Sequence, residues 1–239
     1  MNNNRTKRLP KIIVSQFLVG CLMATVALSI LFFAEGYRLN LKNFKIVKTG
    51  IVFLSTDQKG ESVYINGELQ DRKTPYAENL TPGQYTAEVT KDGYRSWYQG
   101  FKIDPAIVTS FDSIVLFKSD PVISDLTDQR KIDLLNSPVD YLAVSNDKNS
   151  LTYGNYEIWQ NNFLVTRFSE SIQNVSWYPD MEHIVYQQGD EIKIIEKDGY
   201  NNTPLVKLLN SDPVNFVVNS RGDELYYTDG GQYKMAKIK

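Results

Sequence analysis

Two residue types are nearly missing from this chain of 239 residues: it has one cysteine and one histidine. One thiol cannot close an internal disulfide, and one residue of each type cannot build a Cys/His zinc cage. A two-histidine metal site within the chain is excluded as well, so a metal would need mainly oxygen ligands. Charge of one sign is also missing in bulk. The 26 Lys+Arg nearly balance the 28 Asp+Glu, a net of -2, and give no global reason to expect a nucleic-acid partner. No phosphate loop, no dinucleotide fingerprint and no Gly-x-Ser-x-Gly elbow occurs, so no cofactor is expected.

The near-neutral average hides a division. Residues 1–34 contain no Asp or Glu, and their charge is Arg5, Lys7, Arg8 and Lys11. Subtracting those four from 26 leaves 22 Lys+Arg against 28 Asp+Glu in residues 35–239, a net of -6. Residues 12–34 carry no charge, and their polar members are Ser15, Gln16, Thr25 and Ser29. A helix of that length rises about 34 Å, enough to cross a hydrocarbon core of about 30 Å. The expectation is a transmembrane helix over 12–34 in contact with the lipid bilayer, preceded by a basic tail over 1–11. Two rival readings fit less well. A cleaved signal peptide has a shorter apolar run. Leu18-Val19-Gly20-Cys21 resembles a lipobox, but an apolar run rather than a polar tether follows Cys21. The short basic tail places the N-terminus in the cytoplasm and the rest of the chain outside. That tail leaves no room for a signalling output domain.

Residues 35–48 read as a basic neck with interfacial residues Tyr37 and Arg38. Strand signals follow. Ile51–Ser55 and Ser62–Ile65 are short apolar runs, and the second ends in Asn66-Gly67, which suits a type I′ hairpin turn. Thr74-Pro75, Thr81-Pro82-Gly83 and Asp92-Gly93 mark further turns. Between them Tyr85, Ala87 and Val89 alternate with polar residues, and Ser96–Ile103 and Thr109–Phe117 complete the set. The reading is a small antiparallel β-sandwich over 49–118.

The ordered elements Gly50–Ser55, Gly60, Val63–Gly67, Thr74-Pro75, Leu80–Gly83, Tyr85 and Gly93-Tyr94 resemble a PEGA domain. That family is a small β-sandwich found mainly in bacterial and archaeal surface proteins. The resemblance implies a binding or spacing role at the cell envelope and transfers no catalytic residue. The chain departs from the motif that names the family, having Gln58-Lys59-Gly60-Glu61 in its place.

After a polar connector over 119–138, residues 139–239 repeat. Ser145–Tyr153, Tyr178–Tyr186 and Asn219–Tyr227 align at offsets of 33 and 41 residues. Each combines a polar turn with an apolar strand ending in Tyr. Four short strands per unit resemble β-propeller blades of the Ser-Pro-Asp-Gly kind. The fold class expected is therefore all-β with an N-terminal transmembrane helix, a small antiparallel sandwich and propeller-like four-stranded repeats. Three copies are fewer than propellers use. Lys131–Leu135 is assigned as the missing outer strand of the last copy. A small ring, an open arc and a homodimer through the incomplete array are the outcomes this allows.

No chemistry stands out. His183 next to Glu182 reads as structural, and Asp147, Asp180 and Asp223 read as turn stabilisers, with no Asp-x-Asp-x-Asp calcium loop and hence no metal site. The candidate binding residues are the aromatics Trp97, Tyr98, Trp159, Trp177 and Tyr178, which also suit core packing. The function expected is a binding or scaffolding module for an envelope protein or polysaccharide, without nucleic acid. The alternative is an envelope glycan hydrolase using paired carboxylates.

Overall fold

The computed structural model describes residues 8–40, 45–137 and 150–239. It is mostly β, with several small antiparallel sheets and one long N-terminal helix. Helix α1 (Arg8–Ala34) contains a 22-residue stretch, Ile13–Ala34, of mean hydropathy 2.5 whose side chains are all exposed. Pro10 falls in its first turn, where a missing N–H costs nothing. Two of its hydroxyls are satisfied within the helix: Thr25 donates to the Cys21 carbonyl and Ser29 to the Thr25 carbonyl, each at 2.8 Å. Such back-bonding removes the need for water along the segment.

The expected neck is a folded ribbon. Strand β1 (Tyr37–Asn40) pairs antiparallel with β2 (Lys45–Lys48), Tyr37 opposite Lys48 and Leu39 opposite Ile46. Seven strands follow: β3 (Gly50–Thr56), β4 (Ser62–Ile65), β5 (Glu68–Leu69), β6 (Tyr76–Leu80), β7 (Gly83–Thr90), β8 (Trp97–Ile103) and β9 (Val108–Ile114). They form one sheet ordered β6-β3-β9 and another ordered β5-β4-β7-β8. Each has the alternation expected of a half-buried sheet. In β8, Trp97, Gln99, Phe101 and Ile103 are buried while Tyr98, Gly100 and Lys102 are exposed. The β4–β5 turn has positive φ at both Asn66 and Gly67, as a type I′ hairpin requires.

The expected connector is structured. Strand β10 (Val122–Asp125) precedes helix α2 (Gln129–Asn136). Lys131–Leu135 therefore does not form the missing outer strand; it is helical. The Asp128 carboxylate accepts from the Arg130 N–H and starts the helix, and Leu135 is buried with Leu126, Val217 and Tyr226. The spacing of Ile132 and Leu135 puts both on one helical face.

Ten further strands follow: β11 (Leu151–Tyr153), β12 (Glu157–Gln160), β13 (Phe163–Arg167), β14 (Ile172–Trp177), β15 (His183–Gln188), β16 (Glu191–Glu196), β17 (Thr203–Lys207), β18 (Phe216–Val218), β19 (Glu224–Asp229) and β20 (Gln232–Lys237). Their sheets are β11-β12-β13, β14-β15-β16-β17 and β10-β20-β19-β18. The fourth strand of the last sheet is β10, with Val122 opposite Lys237 and Asp125 opposite Lys234. No closed barrel or propeller forms among the described residues. The aligned turns of the second and third repeats share their hydrogen bonds. Tyr178 N–H reaches His183 O as Asn219 N–H reaches Glu224 O, both at 2.9 Å. Met181 and Gly222, in equivalent places, both have positive φ. The turn of the first repeat, including Asp147, lies outside the described residues.

Contacts divide the chain into two compact units. One takes the described residues as far as Leu54, with Tyr76–Tyr85 and Phe101–Ser110. The other takes Ser55–Pro75, Thr86–Gly100 and the described residues from Phe111 to Lys239. The second unit holds the largest core, in which Val185, Ile192, Ile194, Leu225 and Tyr227 are essentially inaccessible.

Candidate functional site

Two features of the second unit concentrate chemistry. The first surrounds His183, the opening residue of β15, which lies directly opposite Glu196 on β16. Asp180 in the preceding turn accepts from the N–H groups of Glu182 and His183 at 2.8 and 3.1 Å, as a turn-stabilising aspartate should. Its second oxygen lies 2.7 Å from His183 Nδ1. His183 Nε2 is 3.9 Å from Glu196 Oε1. That oxygen also accepts from Trp97 Nε1 at 2.6 Å and Asn201 Nδ2 at 3.1 Å. The Asn201 side-chain carbonyl accepts the Tyr98 N–H at 2.9 Å. Phe117 and Tyr178 close the surround, their rings edge-on to the imidazole.

This burial pulls the two carboxylates apart. It acts to raise Asp180, but the bond and charge of His183 and the two backbone donors outweigh it and hold Asp180 low. At Glu196 burial wins over His183, Trp97 and Asn201, and the carboxyl is pushed up. The adjoining cavity is about 10 Å³, room for about one water. No sugar ring fits there, so the paired-carboxylate alternative gains nothing from this pair. The Tyr178 phenol is deeply buried, held well above its usual range by desolvation, and donates to Gly222 O at 2.6 Å.

The second feature is a cleft of about 440 Å³ between α2, β14 and β18. Its wall is mixed, about half apolar from Leu134, Val175, Trp177, Pro179 and Phe216 and about half polar, with Asn136, Asn174, Ser176 and Asn215 interspersed. Among the described residues that line it, Tyr153 is the only one with an ionisable side chain. Such a surface suits an uncharged ligand held by stacking and amide hydrogen bonds. Asn174 is placed by a bulge in β14, where its φ is positive, and donates to Val214 O at 2.6 Å.

The sequence-selected aromatics are scattered among these features. Trp97 and Tyr178 are buried and meet around His183 and Glu196. Trp177 is buried and lines the cleft. Trp159 is half-buried on β12 and donates to Glu157 at 2.9 Å. Tyr98 is 53% exposed. Sequence reasoning missed Glu196, which ends an alternating strand and gives no local sign of its partners. It also missed Glu61, which is buried and accepts from the hydroxyls of Thr56 and Thr74. Asp223 differs from Asp180 in its role. Its N–H donates to Asn219, whose side chain caps that turn and bonds the Asp223 carboxylate at 2.6 Å. No three His, Cys, Asp or Glu converge as a metal cluster among the described residues.

An apolar helix followed by small antiparallel β units defines the class of chain. The family model for the PEGA domain matches residues 49–115, from just before β3 to just beyond β9. No curated protein matches the chain.

Proposed function

We propose that the chain is a single-pass, membrane-anchored protein of the bacterial cell envelope, its N-terminus cytoplasmic and its β units outside. These units act as a binding or scaffolding module for an envelope protein or polysaccharide. One observation carries the reading: an exposed apolar helix of 22 residues leads into a stretch that matches the PEGA domain, a module of the extracellular binding type. In water, exposure of so many apolar side chains would be costly, at about 0.8 kcal/mol for each CH₂ group.

We further read the three C-terminal sheets as blades of a small propeller-like array. The matching turn bonds of the second and third repeats support this, as does the completion of the last sheet by β10. The cleft at the inner strands β14 and β18 is then its ligand-facing end.

Membrane fractions washed with alkaline carbonate test the anchor. The full chain should stay with the bilayer and its β units should yield to external protease; release by carbonate would overturn the anchor. The detergent-solubilised chain should capture an envelope protein or glycan saturably. Tyr98→Ala should weaken that capture about tenfold if the exposed ring is an anchor.

A further inference from the structure

We propose that the β1–β2 ribbon is a membrane-interface element, lying along the headgroup layer with Leu39 and Ile46 directed at the acyl chains. The proposal rests on the anchor reading of α1. The 22 residues of Ile13–Ala34 rise about 33 Å, close to the about 30 Å of hydrocarbon, so Ala34 marks its edge. The headgroup zone beyond is about 5–8 Å deep. A strand of four residues is about 13 Å long, so the ribbon fits that zone lying down and overshoots it standing up.

The ribbon is held at the helix end. The Arg38 guanidinium sits 3.6 Å over the Phe33 ring and bonds the Phe33 carbonyl at 3.2 Å. Tyr37 packs edge-on against Phe32 at 5.5 Å. At its base, Gly36 O accepts both the N–H and the hydroxyl of buried Thr49, each at 2.8 Å. Gly36 itself has φ of 82°, which lets the chain turn back at that point.

The occupant follows from the two faces. Leu39 and Ile46 are direct cross-strand partners and are 53% and 63% exposed. They share their face with Tyr37 and Lys48, a stripe of apolar, aromatic and cationic groups. The opposite face carries Arg38 and Lys45, and neither strand contains an acidic residue. Apolar side chains flanked by cations match a lipid surface, with acyl chains below and phosphates beside them.

The test uses the full chain with Cys21→Ala, in vesicles of phosphatidylcholine and phosphatidylglycerol. Single cysteines at positions 26, 39, 46, 47 and 209 carry a fluorophore, and brominated acyl chains quench it. Quenching at 39 and 46 should exceed that at 209 several-fold and exceed that at 47, which the register puts on the opposite face. Equal quenching at 39, 46 and 209, with 26 strongly quenched, overturns the ribbon proposal and leaves the anchor standing. Absence of quenching at 26 overturns both. A blue shift at 39 and 46 without lipid quenching means that protein, such as a second copy, covers the face, and also overturns it.

Discussion

Glu61 is a carboxylate only 2% exposed, and its negative charge survives there because two hydroxyls and its own N–H network surround it. Burial acts to raise its pKa. The bonds from Thr56 and Thr74, with Lys91 at 3.8 Å, outweigh that and hold it below the usual value. A carboxyl with a lowered folded pKa stabilises the fold above its unfolded value and loses that contribution as pH falls through the folded one. Glu61→Gln should therefore cost about 2 kcal/mol at neutral pH. The difference from the parent should shrink below about pH 4. Near-ultraviolet circular dichroism melts of the solubilised chain at both pH values measure it; a pH-independent difference would refute the ionised state. Gly222 poses a steric case at the same scale. Its φ is 73°, and a Cβ there would overlap the Tyr178 phenol. Gly222→Ala should cost about 3 kcal/mol, read as a lowered melting temperature.

At the scale of elements, the informative strand is β10. The Leu126 N–H donates to Tyr233 O, and bonded pairs in an antiparallel ladder recur every second residue. Ser124, opposite Met235, therefore turns its N–H toward β20, while Ile123 turns its own toward the open edge. Ser124→Pro should destabilise by about 2 kcal/mol more than Ile123→Pro. Equal losses would mean that β10 does not hold the sheet as described. Strands with local alternation were legible in the sequence: β4 has the expected bounds, and the turns at Asn66-Gly67 and at Tyr178 and Asn219 fall where their residues suggest. The exchange of roles between 122–125 and 131–135 was not legible. Both segments are short and mixed, and only the bonds to β20, more than a hundred residues away, and the buried Leu135 decide between strand and helix. The site follows the same rule. Its aromatics announce themselves by size, but the Trp97–Glu196 bond joins residues 99 positions apart, a distance no local pattern encodes.

At the scale of the molecule, the near-zero net charge is the sum of a basic, apolar N-terminal segment and an acidic β portion, and the exposed apolar surface divides the same way. Under the proposed anchoring a bilayer covers the helix surface but not β13. Among the described residues it is an edge strand of the β11-β12-β13 sheet, paired with β12, with Phe163 78% and Leu164 44% exposed. Edges that avoid pairing are usually guarded by inward charges, prolines or bulges. Here the register with β12 slips at Val165, but Phe163 and Leu164 before the slip stay exposed, and the charge at the strand end, Arg167, is engaged with Glu157 at 2.6 Å. We propose that two chains pair along this exposed apolar stretch of β13. The full chain in detergent should therefore run as a dimer by light scattering, and Phe163→Lys should shift it to monomer while leaving its circular dichroism melt in place. A parent chain that stays monomeric at high concentration would rule the pairing out, and β13 would then be available to a different partner.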